Sequence, residues 1–241
     1  MQITLRYLKT GATYTDIGFE FRTAKCTVSK IVSQTVNAIV QEYYDEMVAC
    51  PTTATEWKRM SDNWLAETQF PHCLGAIDGT HVPINRPAME ELNKPPEDTG
   101  SAYYNWKSFY SVIMLCLVDA NYKVIWAKVG ASGKQGDAGL FLDSNLRKGF
   151  MTGKLNIPEK EALPDEEYLL PYYILGDNAF HLQVWLMHPY SRHGATVEQK
   201  CFNYRLSRAR TRVSVCHFTC NYKKSIQYIL HVKYLLLTLL T

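Results

Sequence analysis

Apolar residues recur at three- and four-residue spacing through Val28, Ile31, Val32, Val36, Ile39 and Val40, while Lys25, Ser29, Lys30, Ser33, Gln34 and Asn37 fill the other side. That spacing predicts an amphipathic helix from Thr23, a good N-cap, to about Tyr43. Two shorter helices precede it. Ile3 to Leu8 reads as the end of one, stopped at Gly11, and Thr15 to Phe21 as the second, with Ile17 and Phe21 on one face. Helix, tight turn, then a helix opening on polar and basic residues is the pattern of a helix-turn-helix. An ordinary helical hairpin has the same pattern and stays open as the alternative. The chain is expected to begin inside this unit, because nothing before Gln2 completes a first helix.

Beyond Pro51 the period is still helical from Thr53 to about Glu67, with Trp57, Met60 and Trp64 on one face. Phe70-Pro71 breaks it, and strand patterns take over. Cys73-Leu-Gly-Ala-Ile-Asp78 is an apolar run that ends at a carboxylate beside Gly79, and Tyr172-Tyr-Ile-Leu-Gly-Asp177 is a second. Between them lie a polar, Pro-rich loop from Arg86 to Gly100 and a clear hairpin. In the hairpin, Phe109 to Val118 is strand-forming, Asp119 to Tyr122 a turn, and Lys123 to Val129 the return. Gly130 to Gly136 reads as a loop and Asp137 to Leu146 as a helix. After the polar stretch from Asn156 to Glu167 and the second aspartate run, helices are predicted at Ala179 to Met187 and at Phe202 to about Tyr222. This order predicts an α/β mixed sheet with flanking helices, not a regular βαβ repeat. The expected division is a helix-turn-helix-like unit over 1–45, a connector helix over 46–70 and a sheet domain over 71–241.

At 241 residues, 46% hydrophobic and 20% charged, the chain has the composition of a globular protein rather than a disordered one. A net charge of +3 does not by itself point to nucleic acid, but the distribution does. No acid follows Glu198, whereas Lys200, Arg205, Arg208, Arg210, Arg212, Lys223, Lys224 and Lys233 do. That asymmetry suggests a face for an anionic polymer, with a solvated helix face as the plainer alternative. Seven scattered cysteines and no signal peptide favour reduced thiols, in the cytosol or nucleus. Cys216, His217 and Cys220 lack the second pair that a tetrahedral zinc site needs. The apolar tail from Ile226 to Leu240 is interrupted by Gln227, His231 and Lys233, so a buried helix or strand is expected there rather than a membrane span.

The two aspartates carry the candidate chemistry. Apolar strands lying side by side can bring both carboxylates to one divalent cation, and hard oxygen ligands suit Mg²⁺ or Mn²⁺. Such ions activate a water or hydroxyl nucleophile and stabilise the leaving oxygen of a phosphodiester. His81 is a candidate neighbour to such a site, and an ordinary strand histidine is the plainer reading. Nucleophile-elbow, P-loop and dinucleotide fingerprints are absent, and Gly130-Ala-Ser-Gly-Lys134 lacks P-loop spacing. Lys25, Ser29 and Lys30 in the third helix, and Arg205, Arg208 and Arg210, are the candidate DNA contacts.

Several ordered motifs give a more specific signal. They are Trp57, Phe70-Pro-His-Cys-Leu-Gly-Ala-Ile-Asp78-Gly-Thr-His81, Tyr104-Asn-Trp-Lys107 with Phe109-Tyr110, Val129-Gly-Ala-Ser132 with Asp137, Leu175-Gly-Asp177, and Phe202-Asn-Tyr-Arg-Leu-Ser-Arg-Ala-Arg210. Together they resemble the PIF/Harbinger transposases and the Harbinger-transposase-derived nucleases, over roughly residues 50 to 210. The resemblance implies an RNase H-like fold and a DDE site acting on DNA with a divalent metal cation. It further implies Asp78 and Asp177 as catalytic ligands, a Myb-like partner protein and a nuclear location. The pattern departs near the end of the chain: the Phe-Gly expected just beyond residue 214 is disturbed, and from there to Thr241 the resemblance fades, leaving a degenerate C-terminal part. Ser214 stands where the family carries its catalytic glutamate, and Glu198 is the nearest acid before it. A neutral hydroxyl is a poor substitute for a carboxylate ligand. Two functions therefore compete: a metal-dependent nuclease, impaired where Ser214 takes the place of its third acid, and a transposase-derived DNA-binding or protein-partner module without chemistry. A truncated product without a stable fold is the third expectation.

Overall fold

The computed structural model describes residues 1–84, 86, 100–163 and 166–222, with side chains through residue 216. Most of the Pro-rich loop, the apolar tail, and the side chains of His217 and Cys220 lie outside the described residues. Ala49–Cys216 forms one compact unit, and Met1–Val48 belongs to another.

In the first unit, α1 (Gln2–Thr10) ends where Gly11 adopts a left-handed conformation and its N–H closes on the Tyr7 carbonyl. Thr13 and Asp16 form a capping box at the start of α2 (Tyr14–Glu20). A turn over 21–24 leads into α3 (Lys25–Met47). Thr23 is not its N-cap. Thr23 Oγ1 donates to the Phe21 carbonyl instead, and Ala24 takes the cap position. Val28, Val32 and Val36 bury fully against Ile17, as the spacing predicts.

In the second unit, Thr53 and Glu56 cap α4 (Ala54–Thr68), whose Trp57 and Trp64 are fully buried. Trp57 Nε1 donates to the Leu155 carbonyl at 2.8 Å, so the indole is both packed and satisfied. The sheet contains β1 (Cys73–Pro83), β2 (Ser111–Val118), β3 (Val124–Ser132), β6 (Tyr173–Leu175) and β7 (Leu186–Met187), in the order β3-β2-β1-β6-β7. The β1–β2 and β2–β3 pairs are antiparallel, while β6 runs parallel to both β1 and β7. Every residue of β2 is buried, which explains its unbroken apolar run. This is a mixed α/β sheet with flanking helices, the RNase H-like architecture.

Several elements differ from the sequence reading. β1 does not end at Asp78 but continues five residues to Pro83, paired throughout with β2. β3 runs on to Ser132, absorbing Gly130 as a bulge with φ near 120°. The helix expected over Asp137 to Leu146 is two helices, α5 (Gly136–Leu142) and α6 (Asn145–Thr152), because Ser144 starts a new one by accepting from Arg147 N–H. No helix forms over 179–187. Phe180 N–H closes a turn onto the Asp177 carbonyl, its ring buries, and Leu186 pairs with Ile174 in the sheet. A two-stranded ribbon, β4 (Glu161–Ala162) with β5 (Leu169–Leu170), falls partly in the stretch read only as polar. The last helix, α7 (Val197–Tyr222), starts five residues earlier than expected and buries Leu206, Ala209 and Val213.

Candidate active site

Strand register places the two aspartates. Ala76 of β1 is level with Leu175, the last residue of β6; Asp78 lies two residues further along β1, and Asp177 two residues beyond the end of β6. Alternation along a strand sends residues two apart to one face. Asp78 therefore leaves the sheet on the face that carries Ala76, and the Asp177 carboxylate, just past the end of β6, comes to the same side chain of α7.

Arg210 of α7 meets them there. Its Nη2 lies 3.1 Å from Asp78 Oδ1 and 3.8 Å from Asp177 Oδ2. Asp177 Oδ1 accepts from Ala179 N–H at 2.9 Å, which fixes that carboxylate at the strand end. Burial pushes the Asp78 carboxyl above its ordinary value; the guanidinium of Arg210 opposes this, and the charge of Asp177 reinforces it. Arg210 thus lessens the cost of keeping two acids ionised side by side.

The glycines beside the aspartates face the opposite way. A Cβ on Gly79 would collide with the carboxylate of Asp137, and one on Gly176 would come within 2.9 Å of the Phe180 ring. Asp137, in the first turn of α5, therefore approaches β1 on the face opposite to that of Asp78. Burial, then the charges of Asp78 and Asp177, push its carboxyl up to about 6.

His81 shares a hydrogen bond through Nδ1 with the buried Ser111 hydroxyl at 3.0 Å, and Asn105 Nδ2 donates to the same oxygen at 2.8 Å. Burial, helped by Lys107, holds the imidazole below its usual range. This is a structural polar chain, the plainer of its two readings. It anchors the Tyr104-Asn-Trp-Lys107 loop, where Asn105 Oδ1 also accepts from the Lys107 and Phe109 N–H groups.

The basic residues divide. Arg205 and Arg208 lie on the exposed side of α7, with Arg208 over the Tyr204 ring. Arg210 turns inward to the carboxylates, and Arg212 reaches Glu67 and the Ala120 carbonyl. In the other unit Lys25 and Lys30 are exposed and Ser29 is half-buried. Ser214 is exposed one helical turn beyond Arg210, on the same flank of the buried stripe. Glu198 lies 12 residues before Arg210, roughly 18 Å along the helix, too far to stand in for a third acid. The inward turn of Arg210 was not legible in its basic run; its position beside the buried Ala209 was the available signal.

The donor chemistry fits a hard divalent cation at Asp78 and Asp177. Two carboxylates already converge on one positive group, and Arg210 Nη2 is that stand-in. Among the described residues no group of three His, Cys, Asp or Glu side chains is close enough to form a fuller metal cluster.

A mixed sheet with one carboxylate on its middle strand and a second just past the end of the adjacent parallel strand, backed by a basic helix, defines an RNase H-like nuclease scaffold. The profile of the DDE superfamily endonucleases matches residues 77–231, and the chain belongs to that family, among its Harbinger-transposase-derived members. It is 30% identical over 207 residues to the Arabidopsis thaliana protein "Protein ALP1-like", covering 86% of this chain and 48% of that protein. It is 23% identical over 236 residues to the Rattus norvegicus protein "Putative nuclease HARBI1", covering 93% of this chain and 59% of that one. The Xenopus laevis protein of the same name is 24% identical over 207 residues, 86% of this chain and 51% of its own length. The chain thus spans about half the length of these relatives. No solved structure matches it. Among the described residues no helix is long and apolar enough to cross a membrane.

Proposed function

We propose that this chain carries the site of a divalent-metal-dependent nuclease that hydrolyses DNA phosphodiesters. The observation behind it is the convergence of the Asp78 and Asp177 carboxylates on a single cationic nitrogen. Asp78 and Asp177 would hold the cation. When bound, Mg²⁺ or Mn²⁺ would lower the pKa of the attacking water and stabilise charge on the leaving oxygen. The chain's own residues do the rest. Asp177 is oriented by Ala179 N–H. Arg205 and Arg208 present charge for the DNA backbone, and Lys25, Ser29 and Lys30 open the second helix of a helix-turn-helix that would position the duplex. We assign DNA reading to residues 1–45, a connector to 46–70 and the nuclease fold to the remainder. A nuclear location and a Myb-like partner belong to the same proposal.

Ser214 favours a second reading. Its hydroxyl stands at the position of the family's glutamate, one turn from Arg210, so the fold would bind DNA without cutting it. Mn²⁺-dependent nicking of supercoiled DNA decides between them. Nicking by the unaltered chain that vanishes in Asp78→Ala supports the nuclease. Nicking that appears only with Ser214→Glu supports the disarmed binder. Cleavage that survives Asp78→Ala overturns the site assignment.

A further inference from the structure

We infer that Arg210 is the resident counter-ion of the Asp78–Asp177 pair and competes with a divalent cation for it. The inference rests on the proposed function, since it takes these two carboxylates as the cation's ligands. The geometry supports direct competition rather than mere proximity. A single nitrogen, Nη2, is within ion-pair reach of both carboxylates, at 3.1 and 3.8 Å. A cation bridging the same two acids would have to occupy that region, and two positive groups would then repel at short range. Arg210 is also imperfectly satisfied where it lies. Its Nε is buried and has no hydrogen-bond partner among the described residues. The contact to Asp177 is too long for a hydrogen bond, so only the Asp78 contact is close. A group held by one close contact, with a buried donor unpaired, is displaceable.

Arg210 thereby sets the cation threshold of the site. Without metal it keeps both acids compatible with the fold. With metal it must leave them, and it then becomes a free cation beside the same carboxylates, available to an anion such as a phosphodiester.

Binding of Mn²⁺ to the metal-free chain tests this without any cleavage, with free Mn²⁺ followed by electron paramagnetic resonance. Arg210→Gln should bind Mn²⁺ roughly tenfold more tightly than the unaltered chain, a typical size for coupling between competing ligands. Adding Asp78→Asn should abolish that gain. Arg212→Gln removes a nearby charge that points to Glu67, and should leave the affinity unchanged. Tighter binding in both arginine variants would mean a general charge effect and would overturn the inference. So would Asp78-dependent Mn²⁺ binding that is no tighter in Arg210→Gln. No Asp78-dependent binding in any variant would overturn the proposed metal site with it. Should Arg210→Gln not fold, the unaltered chain still answers: the Arg210 guanidinium nitrogen signal, assigned by its loss in Arg210→Lys, should shift as Mg²⁺ saturates the site. A signal unmoved by bound Mg²⁺ overturns the competition.

Discussion

Arg210 Nη2 stands 3.1 Å from Asp78 Oδ1, joining α7 to the middle strand of the sheet across 132 residues of chain. Both side chains are largely withdrawn from water, so neither tolerates loss of the other well. The same guanidinium faces Asp177, so its removal leaves two acids with no opposing charge between them.

Arg210→Ala is therefore expected to lower stability by about 1–3 kcal/mol in chelator, less than for a fully buried pair because all three groups keep some exposure. Millimolar Mn²⁺ should recover much of that loss, because a ligand of the folded state alone stabilises it. Urea unfolding in EDTA and in Mn²⁺ measures both. A loss that Mn²⁺ leaves untouched would show that the carboxylates do not bind the ion.

Gly79 has no room for a methyl group, because Asp137 lies over its Cα. Gly79→Ala should cost about 1–3 kcal/mol, the usual cost of overpacking. Asp137→Ala removes the obstacle, so the double variant should be more stable than the sum of the single effects predicts. Additive losses in a double-mutant cycle would argue against the contact.

The pH dependence of Asp137 has a definite sign. Its carboxyl titrates near 6 in the folded chain, against an ordinary value of 3.8. The folded state thus holds the proton more tightly than the unfolded state. This group's contribution is most favourable below about pH 4, declines as pH rises to 6, and stays unfavourable above. Asp137→Asn should raise stability at pH 7.5 by about 1–2 kcal/mol in EDTA, with the gain shrinking towards pH 4. A gain that is constant across this range would contradict the burial of the charged form as its cause.

Among the described residues Arg205 and Arg208 have no partners as close as those of Arg210 and Arg212. Replacing both with alanine should weaken duplex binding at low salt and reduce the slope of log affinity against log salt by about 1–2. Circular dichroism should stay unchanged. Unaltered affinity and slope would remove α7 from the proposed DNA face.

The sequence by itself determined many of the local elements and the two apolar runs that end in an acid. Helix spacing at Val28, Val32 and Val36, the Gly11 stop, the helix with Trp57 and Trp64 on one face and the hairpin through Asp119 all depend on neighbours in the chain, so a linear reading finds them. The apolar runs ending at Asp78 and Asp177 are of the same kind. Only the tertiary structure decided what these acids meet. The level register of β1 and β6 joins residues about a hundred apart, and no local spacing encodes it. It brought Asp78 and Asp177 to one side chain of α7, while Gly79, and with it Asp137, lies on the face of β1 opposite to Asp78. The same sheet turned 179–187 away from helix, because pairing Leu186 with β6 and burying Phe180 outweighed a weak local preference. Arg210 looked like one cation among several in a basic run. The rotation of α7 that buries Leu206, Ala209 and Val213 is what aimed it at the carboxylates and left Arg205 and Arg208 in water.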